Sequence, residues 1–178
     1  MAVIHDATLS PSKEELIHDF LDGAGLGRGG RVERLAAYRF DDPDGQVGIE
    51  AHLVACDGHV FHVPLTYRGA PLDGAKPVGT MDHSVLGRRW VYAAPDDPVA
   101  VDVFTRALRG RQEQSALELH RADATVEPLP TTTVLTVVGE ARPESALRLT
   151  YDVSAPCAGG ATLVAEWAGS SAVVAALD

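Results

Sequence analysis

The sequence predicts an α+β protein, mostly antiparallel sheet with two helices. Three observations predict it. Only two segments, around Leu16 and Phe104, place apolar residues at helical spacing behind a capping signal. The other apolar runs are short and bounded by Gly, Pro or Asp. Between two of them, VGIEAHLVAC and HVFHVPLTY, stands Asp57-Gly58, a two-residue hairpin signal.

Taken in order, MAVIHDATL reads as a short strand or extended arm. Ser10-Pro11 is read as the start of the first helix, with Ser10 accepting from first-turn amides and Pro11 at the first helical position. Glu14 and Glu15 suit the positive end of its dipole, Leu16, Ile17, Phe20 and Leu21 form its apolar stripe, and Gly23 stops it. From Val32 the pattern changes to a strand, VERLAAYRFDD, ended by Asp42-Pro43-Asp44-Gly45. Pairing about Asp57-Gly58 sets residue 56 opposite 59 and 54 opposite 61. Arg68 to Thr80 is rich in Gly and Pro and reads as loop, and Arg88 to Tyr92 as a strand. Asp97 caps the second helix with Pro98 at its first position. Val101, Phe104 and Leu108 are assigned to one face, Arg106 and Arg109 to the C-terminal end, and Gly110 to its stop. The remainder is read as strands in SALELHRA, TTVLTVVG, ALRLTYDV, ATLVAEW and SAVVAAL. The segment from Ala122 to Pro130, with Pro128 and Pro130, marks a boundary between subdomains 1–121 and 122–178.

Composition narrows the function. The chain has 178 residues, 46% hydrophobic, enough for a real core in one domain or two tightly packed subdomains. A net charge of −10 argues against gripping nucleic-acid phosphates. Thirteen arginines stand against two lysines, Lys13 and Lys76, a bias of the kind a GC-rich genome imposes. The start carries no basic, apolar leader, and no apolar run approaches the length of about 18 residues a membrane helix needs. A cytoplasmic protein that binds neither membrane nor nucleic acid is the expectation. Cys56 and Cys157 do not make a disulfide framework.

Few motifs carry chemistry. Gly25 to Gly30 matches G-x-G-x-x-G in form, but it follows a helix and precedes a strand, the reverse of a dinucleotide fingerprint, so it reads as a connector. His52 and His59 share a hairpin face four residues apart along the ladder, while His62 points to the other, so three ligands do not converge. No metal, cofactor or catalytic residue is assigned. Asp41, Asp42 and Asp44 read as turn residues. The best binding candidate is the aromatic-basic run His83 to Tyr92. Trp90 and Tyr92 offer faces for a sugar ring, while Arg88 and Arg89 offer fixed donors. Alternation puts Arg88, Trp90 and Tyr92 on one face and Arg89 on the other. Tyr67 and Arg68, at the end of the neighbouring strand, extend the candidate patch.

The stretch FHVPLTYRGAPLDGAKPVGTMDHSVLGRRWVYAAPDDP resembles the N-terminal cap domain of actinobacterial maltokinases and related sugar kinases. The opening IHDATLSPSKEELIHDFLD, the Gly-rich connector and LAAYRFDDPDGQVGIEAHLV follow the cap order, and VVGEARPESALRLTYDV and LVAEWAGSSAVVAAL loosely resemble part of a kinase N-lobe. The resemblance implies a cystatin-like cap, a helix on a curved antiparallel sheet, followed by further strands. In the kinases a body that phosphorylates maltose follows the cap. That chemistry needs an ATP-anchoring Lys, and here no Lys occurs after Lys76 and no catalytic loop precedes Asp178. The expectation is a stand-alone, non-catalytic accessory or binding protein of maltose, trehalose or glucan metabolism. Its partner would be a protein of that metabolism or a small saccharide. A sugar or sugar-phosphate binder, a partner-dependent portion of a sugar kinase and an enzyme of unrecognised type using His83 or the hairpin histidines are its rivals. Edge strands leave a homodimer open.

Overall fold

The computed structural model describes residues 2–27, 29–155 and 158–178. In chain order the elements are β1 (Ala2–His5), β2 (Leu9–Ser10), α1 (Lys13–Gly23), β3 (Glu33–Phe40), β4 (Val47–Cys56), β5 (His59–Arg68), β6 (Gly79–His83) and β7 (Gly87–Ala93). A short 3₁₀ turn leads into α2 (Pro98–Leu108). Then follow β8 (Leu117–His120), β9 (Val126–Leu129), β10 (Val134–Gly139), β11 (Leu147–Leu149), β12 (Ala161–Trp167) and β13 (Ser170–Leu177). The architecture is α+β, mostly antiparallel sheet with two helices.

The largest sheet has six antiparallel strands in the order β2-β6-β7-β5-β4-β3. Its centre is the hairpin of β4 and β5, with Cys56 opposite His59 and Val54 opposite Phe61, the register read from Asp57-Gly58. Both turn residues have positive φ, 50° and 80°, the conformation that twists a two-residue loop to match its strands. Alternation then sorts side chains onto two faces. On one, Val54, Cys56, Phe61, Val63, Leu65, Met81 and Val91 share a cluster with Leu16, Ile17, Phe20 and Leu21 of α1. On the other, Tyr38, Phe40, Ile49, Ala51 and Leu53 share a cluster with Val103, Phe104 and Leu108 of α2 and with Leu163, Trp167 and Val174 of β12 and β13.

The C-terminal sheet runs β10-β12-β13-β11, all antiparallel. The chain after β11 also ties back to the first sheet. The amide of His62 donates to the Tyr151 carbonyl (2.7 Å) and that of Val153 to the Val60 carbonyl (3.1 Å), along the part of β5 that β7 leaves unpaired. A third sheet, β1-β8-β9, joins the N-terminal arm in parallel to β8, and the β8–β9 hairpin crosses position 121.

Several elements differ from the sequence reading. α1 begins at Lys13, capped by Ser12 and not by Ser10, which lies in β2. Ser12 forms a full capping box with Glu15, whose carboxylate returns to the Ser12 amide; this reciprocal pair is stronger than a lone Ser before Pro. In α2 the buried stripe is Ala100, Val103, Phe104, Ala107 and Leu108, and Val101 lies on its margin, because small alanines allow close packing between the sheets. The strand Gly79–His83 begins inside the segment read as loop, which ended at Thr80, and Val126–Leu129 is a strand within the segment read as a subdomain boundary. Pro128 is tolerated because β9 is an edge strand, where a missing amide leaves no ladder bond broken.

Candidate functional site

On the α1 side, a cleft of about 630 Å³ lies among the N-terminal arm, the first turn of α1, the β3–β4 turn and the β6–β7 hairpin. Glu50 stands in its wall. Strand β4 is apolar except at Glu50 and His52, two positions apart and therefore on one face. Glu50 is only 5% exposed. A carboxylate cannot stay there unpaired. Lys13, the first residue of α1, brings its Nζ to 2.9 and 2.6 Å from the two carboxylate oxygens. Arg39, opposite Glu50 across β3 and β4, donates from Nη2 at 3.0 Å. Burial alone would raise the Glu50 carboxyl, but Lys13 and Arg39 overcome it and hold the group well below the ordinary carboxylate range. Burial pulls the Lys13 ammonium down, against the attraction of Glu50.

His52 Nε2 lies 3.7 Å from a Glu50 oxygen, too far for a good hydrogen bond, and neither ring nitrogen has a hydrogen-bond partner among the described residues. Burial lowers its pKa to about 4, so the ring is neutral at pH 7. Tyr67 and Arg89 line the same cleft from β5 and β7. The Tyr67 hydroxyl and the Arg89 Nε are buried and make no hydrogen bond among the described residues. Burial raises the Tyr67 pKa well above its usual value, so the hydroxyl keeps its proton and can donate. Arg89 is positioned by donation from Nη2 to the Leu86 carbonyl (2.6 Å). Gly69 leaves room for it, since a Cβ there would stand 2.8 Å from Nη1. His83 also lines the cleft, and its Nδ1 accepts from the amides of Val85 and Leu86 (both 3.2 Å), which fixes the proton on Nε2. Burial and the neighbouring His5 lower its pKa.

The residues proposed from sequence therefore fall on two faces. Tyr67, His83 and Arg89 line the cleft. Arg68, Arg88, Trp90 and Tyr92 alternate onto the other face of the sheet. There Arg68 grips Asp97 with two bonds, Nε to Oδ2 at 2.7 Å and Nη2 to Oδ1 at 2.6 Å, while Asp97 caps α2 through the Val99 amide. Tyr92 is buried, and its hydroxyl accepts from the Leu72 amide at 2.8 Å. Trp90 is partly buried, and exposed Arg88 pairs with Asp82 at 3.3 Å. Lys13, Arg39 and Glu50 were missed. The available signal was a Glu inside a strand otherwise apolar but for His52, which demands a buried cation.

His62, on the α2 face, is bonded at both nitrogens, to the Tyr38 hydroxyl (2.8 Å) and the Thr150 carbonyl (3.0 Å). The carbonyl must accept from Nδ1–H, so Nε2 accepts from Tyr38, and the ring is a structural crosspiece. Among the described residues no group of three His, Cys, Asp or Glu side chains is placed to hold a metal. Cys56 is buried with a free thiol, and Cys157 lies outside the described residues. Gly25, Gly27, Gly29 and Gly30 do connect a helix to a strand, and Arg28 between them lies outside the described residues. No described helix is long and apolar enough to cross a membrane.

Fold and cleft together define an α+β protein built on a six-stranded antiparallel sheet with a charged cleft on one face. Residues 23–97 match the family model of the maltokinase N-terminal cap domain. That segment runs from the last residue of α1 through β3–β7 to the cap of α2, so it includes Arg39, Glu50, Tyr67, His83 and Arg89 but not Lys13. No curated protein and no solved structure matches the chain.

Proposed function

We propose that this chain is a non-catalytic accessory or binding protein of the maltokinase-cap type, working in the cytoplasm in actinobacterial maltose, trehalose or glucan metabolism. The match of residues 23–97 to the cap domain carries this reading. The α1 stripe sharing a cluster with the β4–β5 hairpin supports a cystatin-like frame. The ion-paired Glu50 is already engaged by Lys13 and Arg39, which suits a binding or structural role better than proton transfer. The test is co-purification from an actinobacterial extract together with an ATP-dependent sugar phosphorylation assay. Recovery of an enzyme of sugar metabolism by wild-type chain, without kinase activity in the chain itself, is expected. Robust phosphorylation of a sugar by the purified chain would overturn the reading.

The cleft favours a second reading, a sugar or sugar-phosphate binder in its own right. Its volume lies within the usual range of small-molecule sites, about 300–1,000 Å³, and Tyr67, His83 and Arg89 stand in its wall. A completing role for a separate kinase body is the remaining variant, and it predicts a body active only when this chain is added.

A further inference from the structure

We infer that the Glu50 cleft is the binding site for a phosphorylated sugar, with its phosphate on Arg89 and Tyr67 and its hydroxyls on the Lys13–Glu50–Arg39 cluster. The sugar part rests on the second reading above; the site and the anion rest on the cleft itself.

Two buried polar atoms in the cleft-lining side chains lack a partner among the described residues, and both carry hydrogens to give: the Arg89 Nε–H and the Tyr67 hydroxyl. Leaving such groups unsatisfied is costly, and a ligand that accepts from both removes the cost. Arg is the donor suited to phosphate oxygens, because its planar fork meets two of them at once. The Arg89 fork is already aimed by its bond to Leu86 and by the space at Gly69. The same wall supplies groups for hydroxyls. Lys13 spends two contacts on Glu50 and keeps a third N–H, and Arg39 is bonded to Glu50 through Nη2 alone. Sugar hydroxyls, which both donate and accept, fit such a mixed cluster.

Charge agrees with this division of the cleft. The cations in the lining are Lys13, Arg39 and Arg89, against Glu50 and the turn residues Asp41 and Asp42. The Asp42 carboxylate is taken up by the amides of Asp44, Gln46 and Val47, so it serves its own turn. In a chain of net charge −10, a lining of three cations and three carboxylates, with two of the cations on the buried Glu50, is less acidic than the molecule as a whole. Gly48 lies across the ladder from Tyr67 and lines the cleft, and the missing side chain leaves space beside the Tyr67 Cβ.

The test is calorimetric titration of the full chain with glucose 1-phosphate, maltose and inorganic phosphate. Glucose 1-phosphate is expected to bind more tightly than either other probe. Tyr67→Phe and Arg89→Met should each weaken it about tenfold or more. Tyr67→Phe should leave the urea midpoint unchanged or raise it, because it removes a buried unpartnered hydroxyl; a purely structural tyrosine would lower it. Gly48→Val, whose Cβ meets Tyr67 Cβ at an ordinary 3.5 Å, should weaken glucose 1-phosphate by narrowing the cleft. Binding of glucose 1-phosphate that ignores all three substitutions would overturn the site, as would no binding of it at all. Inorganic phosphate binding as tightly as glucose 1-phosphate would overturn the sugar part. Maltose binding insensitive to Tyr67 and Arg89 would sink this site while leaving the sugar-binding reading standing elsewhere on the molecule.

Discussion

Glu50 is a carboxylate in a position that only cations make habitable, and its removal is informative for that reason. Glu50→Ala leaves Lys13 and Arg39, 17% and 19% exposed, facing each other without a counter-charge. Breaking a buried pair from one side costs about 3–5 kcal/mol, and the partial exposure of the cations places this case at the lower end. A urea unfolding curve shifted by about 3 kcal/mol is expected; a shift below 1 kcal/mol would mean the pair is solvated in solution. The histidines set the acid limb of stability. His52 and His62 are each held near 4 by burial, whereas an unfolded histidine titrates at about 6.5. The unfolded chain therefore binds protons first, and stability falls as pH drops from about 6.5 towards 4. Glu50 adds to the same trend below about 4.5, where the unfolded carboxylate takes up its proton and the folded one does not. The urea midpoint should be level from pH 8 to 7 and decline clearly by pH 5. A level midpoint down to pH 5 would contradict neutral, buried rings. The hairpin register made the facing of His52 and His62 legible. What surrounds them was not legible, since Lys13 is 37 positions from Glu50 in sequence and only tertiary packing brings it to 2.6 Å.

At the scale of elements, two helix starts show what the sequence can and cannot specify. Asp97-Pro98 was readable because cap and first-turn proline are adjacent, and α2 begins there. At α1 two serines competed, and the one with a glutamate three residues on won. The alternation of β7 was equally readable, but the covering of its two faces depends on which helix lies where. That is why the aromatic-basic run divides into Arg89 at the cleft and Arg88, Trp90 and Tyr92 behind it. Asp97 links these levels, for it both caps α2 and receives the fork of Arg68 from β5. Asp97→Ala loses a cap worth about 1 kcal/mol and leaves Arg68 unpaired at a partly buried site, so about 2–4 kcal/mol is expected in all. Asp97→Asn keeps the cap and should recover a part of that loss. Equal stability of the two variants, measured by urea unfolding, would show that the ion pair, not the cap, carries the effect.

For the whole molecule the telling feature is that α2 shares one apolar cluster with strands from both ends of the chain. Phe104 and Leu108 are fully or nearly fully buried among Phe40, Ile49 and Leu53 from the first sheet and Leu163, Trp167 and Val174 from the last. The short 150–153 segment adds main-chain bonds to β5, and the amide of Ser115 donates to the Arg39 carbonyl at 2.8 Å. A division at position 121 therefore cuts through one shared apolar cluster. A chain cut to residues 1–121 would uncover the outer side of α2 and the β4 residues beside it, an apolar surface that a soluble monomer rarely tolerates. It also loses β9 from the third sheet and the carbonyl partner of His62 at Thr150. The expectation is one cooperative urea transition for the full chain. The 1–121 fragment should instead show a broad transition with binding of an apolar dye, secondary structure surviving without fixed packing. A sharp transition in the fragment, at the midpoint of the full chain, would show instead that the cap-like portion folds on the α1 cluster alone. The C-terminal sheet would then be an appendage to a self-sufficient cap, and the Glu50 cleft, built wholly from residues 2–89, should remain able to bind in the fragment.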